Sequence, residues 1–400
     1  MGNHQRKSML LLAAGMVLVA ANLRAAASTV GPLLDRIKDD LGLSSTAAGL
    51  LTTLPVLCFG VVAPLGPALA RRIGYQAAVG ASLVTIISGL LVRLLPGVAP
   101  LYIGTTVAGA GIAVGNVLLP VLVRRSFHEN AGRMTGIYTT ALIGSAALAA
   151  AVSVPLANAF NDSWRAALGF WAAPAMLGLL AWSPQLRRHE RDVGTSTGAV
   201  SARSLIRDPL AWQLTLYFGF QSCSFYVVLS WLPTIFQSHG ISRTDAGLLL
   251  GASMIVGLPG ALLLPGVAAR ARSQGRFAVV YSCFVAAGFI GLLVAPTYAP
   301  LLWAILIGLG QQASFPLALV MVVLRSRSVG ETAGLSTLMQ GVGYLMAAVG
   351  PVAVGALHDI TDSWNPAIAC LIVLLVFQVL SGLGAGRDRK IGAVAEGAPA

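Results

Sequence analysis

Apolar residues run through this chain in long blocks rather than in stripes. Twelve blocks stand out, at 9–34, 46–70, 76–95, 100–123, 134–158, 164–183, 209–236, 245–269, 277–296, 299–324, 332–356 and 364–385. Each approaches or exceeds the ~20 mostly apolar residues that a helix needs to cross hydrocarbon. Most connections are short and hold Gly, Pro or charge, such as Arg71-Arg72-Ile73-Gly74 and Pro96-Gly97-Val98-Ala99-Pro100. Within a bilayer every backbone polar group must be paired inside the segment, so the blocks predict helices. A strand barrel would need short alternating segments, and these blocks do not alternate.

Composition supports the pattern. The 400 residues are 56% hydrophobic and only 10% charged, against about 25% charged in soluble domains. A net charge of +12 raises the question of nucleic acid, and the placement of that charge excludes it. Twenty of the 26 Lys and Arg residues fall in alternate connections: Arg6 and Lys7; Arg71 and Arg72; Arg124, Arg125 and Arg133; the 187–207 stretch; Arg270, Arg272 and Arg276; Arg325 and Arg327; and Arg387, Arg389 and Lys390. The other connections hold Arg36, Lys38, Arg165 and Arg243. The positive-inside rule then puts both termini and the 184–208 loop in the cytoplasm, which an even number of spans permits. The N-terminus imitates a signal peptide, with Ala25-Ala26-Ala27 as the cleavage site. The apolar block continues past that site, so the segment is expected to be the first span. Cys58, Cys223, Cys283 and Cys370 lie inside apolar blocks without metal or disulfide spacing, and packing is the role expected of each.

The two halves repeat. Leu43-Ser44-Ser45-Thr46-Ala47-Ala48-Gly49-Leu50-Leu51 reads like Ile241-Ser242-Arg243-Thr244-Asp245-Ala246-Gly247-Leu248-Leu249, at an offset of about 198. Pro67 and Arg72 fall on Pro265 and Arg270, Gly132 and Gly136 on Gly330 and Gly334, and Asn116…Pro120 on Gln312…Pro316. Asp162-Ser163-Trp164 recurs as Asp362-Ser363-Trp364. The fold expected is an all-α polytopic membrane protein of twelve spans in two parallel six-helix repeats, the major facilitator architecture. Its parts would be residues 1–183, a linker at 184–208, residues 209–386 and a tail at 387–400.

The residues also resemble one family within that superfamily, the cyanate/nitroimidazole transporters. The likeness is carried by Asn22-Leu23-Arg24, Val30-Gly31-Pro32-Leu33-Leu34, Pro67 through Gly74, Gly89 through Arg93, and Gly115-Asn116-Val117-Leu118-Leu119-Pro120. It continues through Gly136-Ile137-Tyr138-Thr139, Trp164-Arg165, Trp231-Leu232-Pro233, Gln340 through Tyr344, and Gly350-Pro351. The wider superfamily carries a Gly-x-Leu-Ala-Asp-Arg-x-Gly-Arg loop after span 2, on which conformational change turns. Here Pro67 stands at the first Gly and Arg71 at the Asp, while Arg72 and Gly74 keep the pattern. The resemblance implies a bacterial inner-membrane carrier of a small anion or small heterocycle, with a bilayer as its surroundings and no nucleic acid, metal or cofactor. A monomer is expected.

One residue sharpens that implication. Arg24 sits ten or more residues inside the first block. A central charge there costs ~2.5–3.5 kcal/mol on insertion scales, and Arg does not escape by losing its proton. All fourteen acidic residues lie in connections or at block ends, so no span interior offers a carboxylate. Three readings stand: solvation by carbonyls, hydroxyls and cavity water, service as the binding group for an anionic substrate, or a long reach to Asp35 as a gate. The planar fork of a guanidinium suits a small planar or linear anion. Arg93, three residues before Pro96, is explained by snorkelling to the outer interface, with a second anion contact or an entrance role as the alternative. Asn22, Asn116, Gln221 and Gln312 fall on spans 1, 4, 7 and 10, which the resemblance makes the cavity lining. Their amides would bind substrate or bond across helices. Tyr138, Tyr226, Gln340 and Tyr344 would complete the wall. The five histidines lie in connections, so no dedicated proton relay is expected. Transport would be uniport, anion exchange or passage of a solute carrying its own proton. A drug exporter is the alternative. A membrane receptor would need a large sensor segment, and an enzyme would need a catalytic cluster; neither is visible.

Overall fold

The computed structural model describes residues 3–186 and 205–392, excluding the side chains of 3–8, 35, 45, 46 and 243. The 184–208 linker and the 387–400 tail therefore lie largely outside the described residues.

Helices make up almost all of what is described. They are α1 (Asn3–Ser28), a 3-10 turn (Gly31–Leu33), α2 (Leu34–Leu41), α3 (Ser45–Val62), α4 (Leu65–Ile73), α5 (Tyr75–Val92), α6 (Val98–Ser126) and α7 (Ala131–Ala159). Then follow α8 (Trp164–Phe170), α9 (Ala172–Leu186), α10 (Pro209–Ser238), α11 (Arg243–Val256), α12 (Leu258–Arg270) and α13 (Gly275–Val294). The last are α14 (Pro300–Arg325), α15 (Val329–Thr361) and α16 (Asn365–Ala385). Among the described residues, ten helices or helix pairs are long and apolar enough to span a bilayer. An eleventh span is the pair α3 and α4, bent by 57°. The remaining block, the seventh, is α10. Its 30 residues reach ~45 Å, but buried Thr215, Gln221, Ser222 and Ser224 make it less apolar.

Several blocks that read as continuous are broken. Block 1 ends as helix at Ser28 because Pro32 cannot donate a hydrogen bond to the Ser28 carbonyl. The charged stretch that follows forms α2, an amphipathic helix whose Ile37, with Leu33 of the preceding turn, is buried in a cluster with Leu51, Leu101 and Trp164. Block 2 bends before Leu65, at Ala63-Pro64, and block 8 breaks at Gly257, before Pro259. Pro55, Pro120, Pro155, Pro233, Pro316 and Pro351 are carried inside unbroken helices.

The chain forms two compact units, Met1–Ser126 with Ile137–Thr197, and Phe127–Gly136 with Gly198–Ala400. The repeat is visible in the packing inside each. In the first unit, α5 packs on α6 so closely that a Cβ at Gly111 would fall 2.7 Å from the Ser82 carbonyl oxygen. In the second, α13 packs on α14, and a Cβ at Gly310 would fall 2.3 Å from the Tyr281 carbonyl oxygen. Gly111 and Gly310, like Ser82 and Tyr281, are 199 positions apart. The second unit's apolar core gathers Val227, Phe236, Phe289, Ile307, Trp364 and Leu371.

Candidate functional site

In the first unit α1 packs against α6 and α9. Leu23 is fully buried against Gly115, and Gly15 lies against Trp182. Asn22 is buried on the same side: its Nδ2 donates to the Leu18 carbonyl at 2.9 Å and lies beside Gly178. The bond lies within α1 itself, so it is neither of the two uses left open for this amide, substrate binding or a hydrogen bond across helices. The opposite face of α1 carries Val17, Ala21, Arg24 and Ser28, all partly exposed. Residues spaced by three, four, seven and eleven positions share one helical face. Arg24 thus projects from the side of α1 turned away from α6 and α9, among small neighbours. Asn116 on α6 and Tyr138 on α7 are buried.

Arg93 requires a correction. It does not snorkel, because its side chain is wholly buried. Its Nη1 donates to the Ala26 carbonyl at 3.0 Å, and Thr29 Oγ1 donates to the same oxygen at 3.4 Å. Ala26 holds one of the last four carbonyls of α1, the set that a helix end leaves without intrahelical partners. A cation there also meets the negative end of the helix dipole. The sequence hid this role because the break in span 1 was hidden.

In the second unit α10, α14 and α15 present amides, a hydroxyl and rings. Gln221 is buried, and its Oε1 accepts from Ser222 Oγ at 3.2 Å. Gln311 Nε2 donates to Ser224 Oγ at 3.0 Å, linking α14 to α10. Its neighbour Gln312 instead lies against Gly257 at the α11–α12 break. Gln340 Nε2 donates to Ser336 Oγ at 2.8 Å. Phe218 meets Tyr344 edge-on at 5.1 Å and Phe315 at 6.0 Å. Tyr226 is half-buried beside Phe225. Gln311, Ser224, Phe218 and Phe315 were not singled out from sequence, although the Gln311-Gln312 pair was a visible signal. Ser222 stands 198 positions after Arg24, so the buried-span cation belongs to one half alone. Trp231 is anchored by its Nε1 on the Pro351 carbonyl at 2.8 Å.

The loop after span 2 is built around Gly74, whose φ of +86° disfavours other residues. Its N–H caps the Ala70 carbonyl at 2.8 Å. Pro67 is buried, while Arg71 and Arg72 are exposed in the last turn of α4. There their charges complement the helix dipole. At the far ends of the first unit's helices, Arg165 Nη1 donates to Asp40 at 2.8 Å and stacks on the Trp164 ring. Trp164 Nε1 donates to the same carboxylate oxygen at 3.1 Å. These bonds, Arg165 first, hold the Asp40 carboxyl below its ordinary value. Arg36 bridges Asp162 at 3.2 Å and Asn158 at 2.6 Å.

The sequence profile of the Major Facilitator Superfamily matches residues 16–351. The chain belongs to the major facilitator superfamily. This superfamily member is 41% identical to an uncharacterised transporter, YycB, of Bacillus subtilis, over 95% of this chain and 94% of that one. It is 38% identical to the 2-nitroimidazole transporter of Escherichia coli, over 96% and 98% of the two chains. It is 31% identical to the cyanate transport protein CynX of the same organism, over 91% and 95%. Among solved structures, the proton:xylose symporter XylE superposes with a TM-score of 0.78 at 14% identity, over 94% of each chain. That likeness concerns the fold alone. This superfamily member is a multi-pass membrane transporter.

Proposed function

We propose that the protein is an alternating-access secondary transporter of a small anion or small polar solute, cyanate-like in size and charge, across the bacterial inner membrane. Both termini would face the cytoplasm, as the distribution of basic loops favours. Arg24 would hold the substrate near the midplane. The observation that carries this reading is the face of α1 on which Arg24 lies. Its neighbours there, Val17, Ala21 and Ser28, are partly exposed, whereas Asn22, Leu23, Ala25 and Ala26 are buried. A guanidinium on a partly exposed face of small residues suits a flat or linear anion, to which its planar fork can present two parallel donors.

The test is the melting midpoint of the purified protein against a panel of small anions and nitro-heterocycles, repeated on Arg24→Gln. A ligand that binds only the folded state at a hundred times its Kd stabilises by about 2.7 kcal/mol. Cyanate or a similar anion should raise the parent's midpoint and leave the variant's unchanged. Equal responses of parent and variant would remove Arg24 from the site. A second reading, export of nitroimidazole-like solutes, is favoured by the 38% identity to the 2-nitroimidazole transporter. Under it, uncharged nitro-heterocycles would stabilise the parent while anions would not.

A further inference from the structure

The second unit carries a cavity at the end of α10 and α16 that has no part in the transport site proposed above. About 80 Å³ in volume, it is lined by Asp208, Pro209, Leu210, Gln213, Gly384, Arg387, Arg389 and Lys390. One water needs roughly 10–15 Å³ by the same measure, so a phosphate group fits.

Three of the lining residues are cations, and the segment that bears them is fixed in place. Residues 386–392 leave α16 and fold back across the helix ends. The Gly386 carbonyl accepts from Gln274 N at 3.0 Å and from Ser273 Oγ at 3.1 Å. The Ile391 N–H donates to the Arg325 carbonyl at 3.0 Å, and the Ile391 side chain is buried. Lys390 Nζ donates to the Leu324 carbonyl at 2.7 Å. The Gly392 N–H donates to Asp208 Oδ2 at 2.7 Å, while Asp208 Oδ1 accepts from Leu210 N at 2.8 Å. Both oxygens of the one carboxylate in the cavity are therefore engaged by backbone donors. Arg387 and Arg389 are exposed, and among the described residues their guanidinium groups make no hydrogen bond or ion pair. Two guanidiniums held at a cavity mouth by an ordered segment form a preorganised site for an anion.

The surroundings identify the source of that anion. Gly384 lies directly against the Gln213 amide where α16 meets α10. One and two turns away on the same side of α16 are Leu380, 59% exposed, and Phe377, 51% exposed. The Phe377 ring meets Phe220 of α10 at 6.0 Å. An exposed apolar track thus leads from the basic cavity along the α10–α16 seam toward the middle of the spans. Half-buried Trp212, the neighbour of Gln213, donates its Nε1–H to the Ile206 carbonyl at 2.7 Å, a placement typical of headgroup depth. Free phosphate would use the cations and leave the track bare. A phospholipid uses both.

We infer that the cavity formed by Asp208, Gln213, Gly384, Arg387, Arg389 and Lys390 binds the headgroup phosphate of an anionic phospholipid, with an acyl chain along Leu380 and Phe377. Basic pockets between spanning helices on one membrane face take such headgroups elsewhere.

The experiment uses the full chain in mild detergent, with native mass spectrometry to count retained lipid and a melting curve beside it. The additions are phosphatidylglycerol, cardiolipin, phosphatidylcholine and inorganic phosphate, each to the parent, to Arg387→Gln/Arg389→Gln and to Arg272→Gln/Arg276→Gln. The second pair lies on neighbouring exposed positions outside the cavity. An anionic lipid should remain bound to the parent and raise its midpoint, while phosphatidylcholine does neither. Loss of two cations should weaken retention roughly thirtyfold, and the control pair should retain lipid as the parent does. Equal retention of phosphatidylcholine and phosphatidylglycerol by the parent overturns the inference, whatever the variants do. So does an equal effect of both variant pairs. A midpoint rise with inorganic phosphate equal to that with lipid overturns the lipid assignment and leaves an anion site only.

Discussion

Two arginines lie in the first unit's sequence blocks, and their surroundings differ. Arg93 is sealed in protein and caps the end of α1 through Ala26. Arg24 is partly exposed on the other face of the same helix. Arg93→Ala should therefore cost stability, about 2–4 kcal/mol from lost packing and a lost charge-assisted bond. Arg24→Gln should leave the ligand-free midpoint within about 1 kcal/mol of the parent. Chemical or thermal unfolding of the two variants in one detergent checks this, and a larger loss from Arg24→Gln would make Arg24 the structural residue. Asp40 supplies a pH dependence. Its carboxyl is lowered by Arg165 and Trp164, so the contribution is full above the unfolded value of about 3.9. It is lost as pH falls through the lower folded value. The midpoint advantage of the parent over Asp40→Asn should be constant from pH 6 to about pH 4.5 and shrink as pH falls further. Arg24 stood out in the sequence because a deep charge in an apolar block is conspicuous there, and its substrate role is the proposal made above. Arg93 was misread because its partner is a carbonyl, and no letter of the sequence marks a freed carbonyl.

At the scale of elements, the helices were legible and their interruptions were not. Apolar blocks announce that a segment is helical and crosses, since lipid leaves little alternative. They do not announce breaks, because the apolar composition runs straight through Ala63-Pro64 and Gly257-Leu258-Pro259. Proline alone is no guide in this protein, as Pro120 and Pro316 sit within continuous helices. Helix α2 could have been found: Leu33, Ile37 and Leu41 recur every four residues among five charges. Close approach is similarly selective. Gly310 meets the Tyr281 carbonyl oxygen, whereas Gly251 on α11 has open space where a Cβ would stand. Gly310→Ala should lower stability by about 1–3 kcal/mol through overpacking. Gly251→Ala should be neutral or raise stability by up to ~1 kcal/mol, the helix propensity gain. Parallel melts of the two variants test the assignment, and a loss at Gly251 equal to that at Gly310 would contradict it.

For the whole molecule the ruling asymmetry is charge. The repeat was legible because short matches such as Leu43–Leu51 with Ile241–Leu249 recur in order at one offset, and the structure adds Gly111 and Gly310, which meet carbonyls at repeat-related positions. The orientation rests on a different argument, the crowding of basic residues into alternate connections. The structure adds a reason for two of the exceptions. Arg36 is paired with Asp162, and Arg165 with Asp40, so these arginines add little net positive charge to their connections. On the opposite set of connections Arg71, Arg72, Arg272, Arg276, Arg387 and Arg389 are exposed, without a matching number of carboxylates. An excess of Lys and Arg on one set of short connections over the other is the arrangement that retains the first in the cytoplasm. The proposed orientation has a direct check. Tyr298, 87% exposed between α13 and α14, belongs to the balanced set, and Arg272 to the basic set. In cells whose outer membrane admits the reagent, a membrane-impermeant maleimide should label Tyr298→Cys from outside. It should reach Arg272→Cys only after the inner membrane is opened. Cys58 and Cys223 are wholly or partly buried, and Cys283 and Cys370 lie within spans, so the unsubstituted chain serves as the background. Labelling of Arg272→Cys in intact cells would invert the orientation, placing the lipid-binding cavity against the outer leaflet and both termini outside.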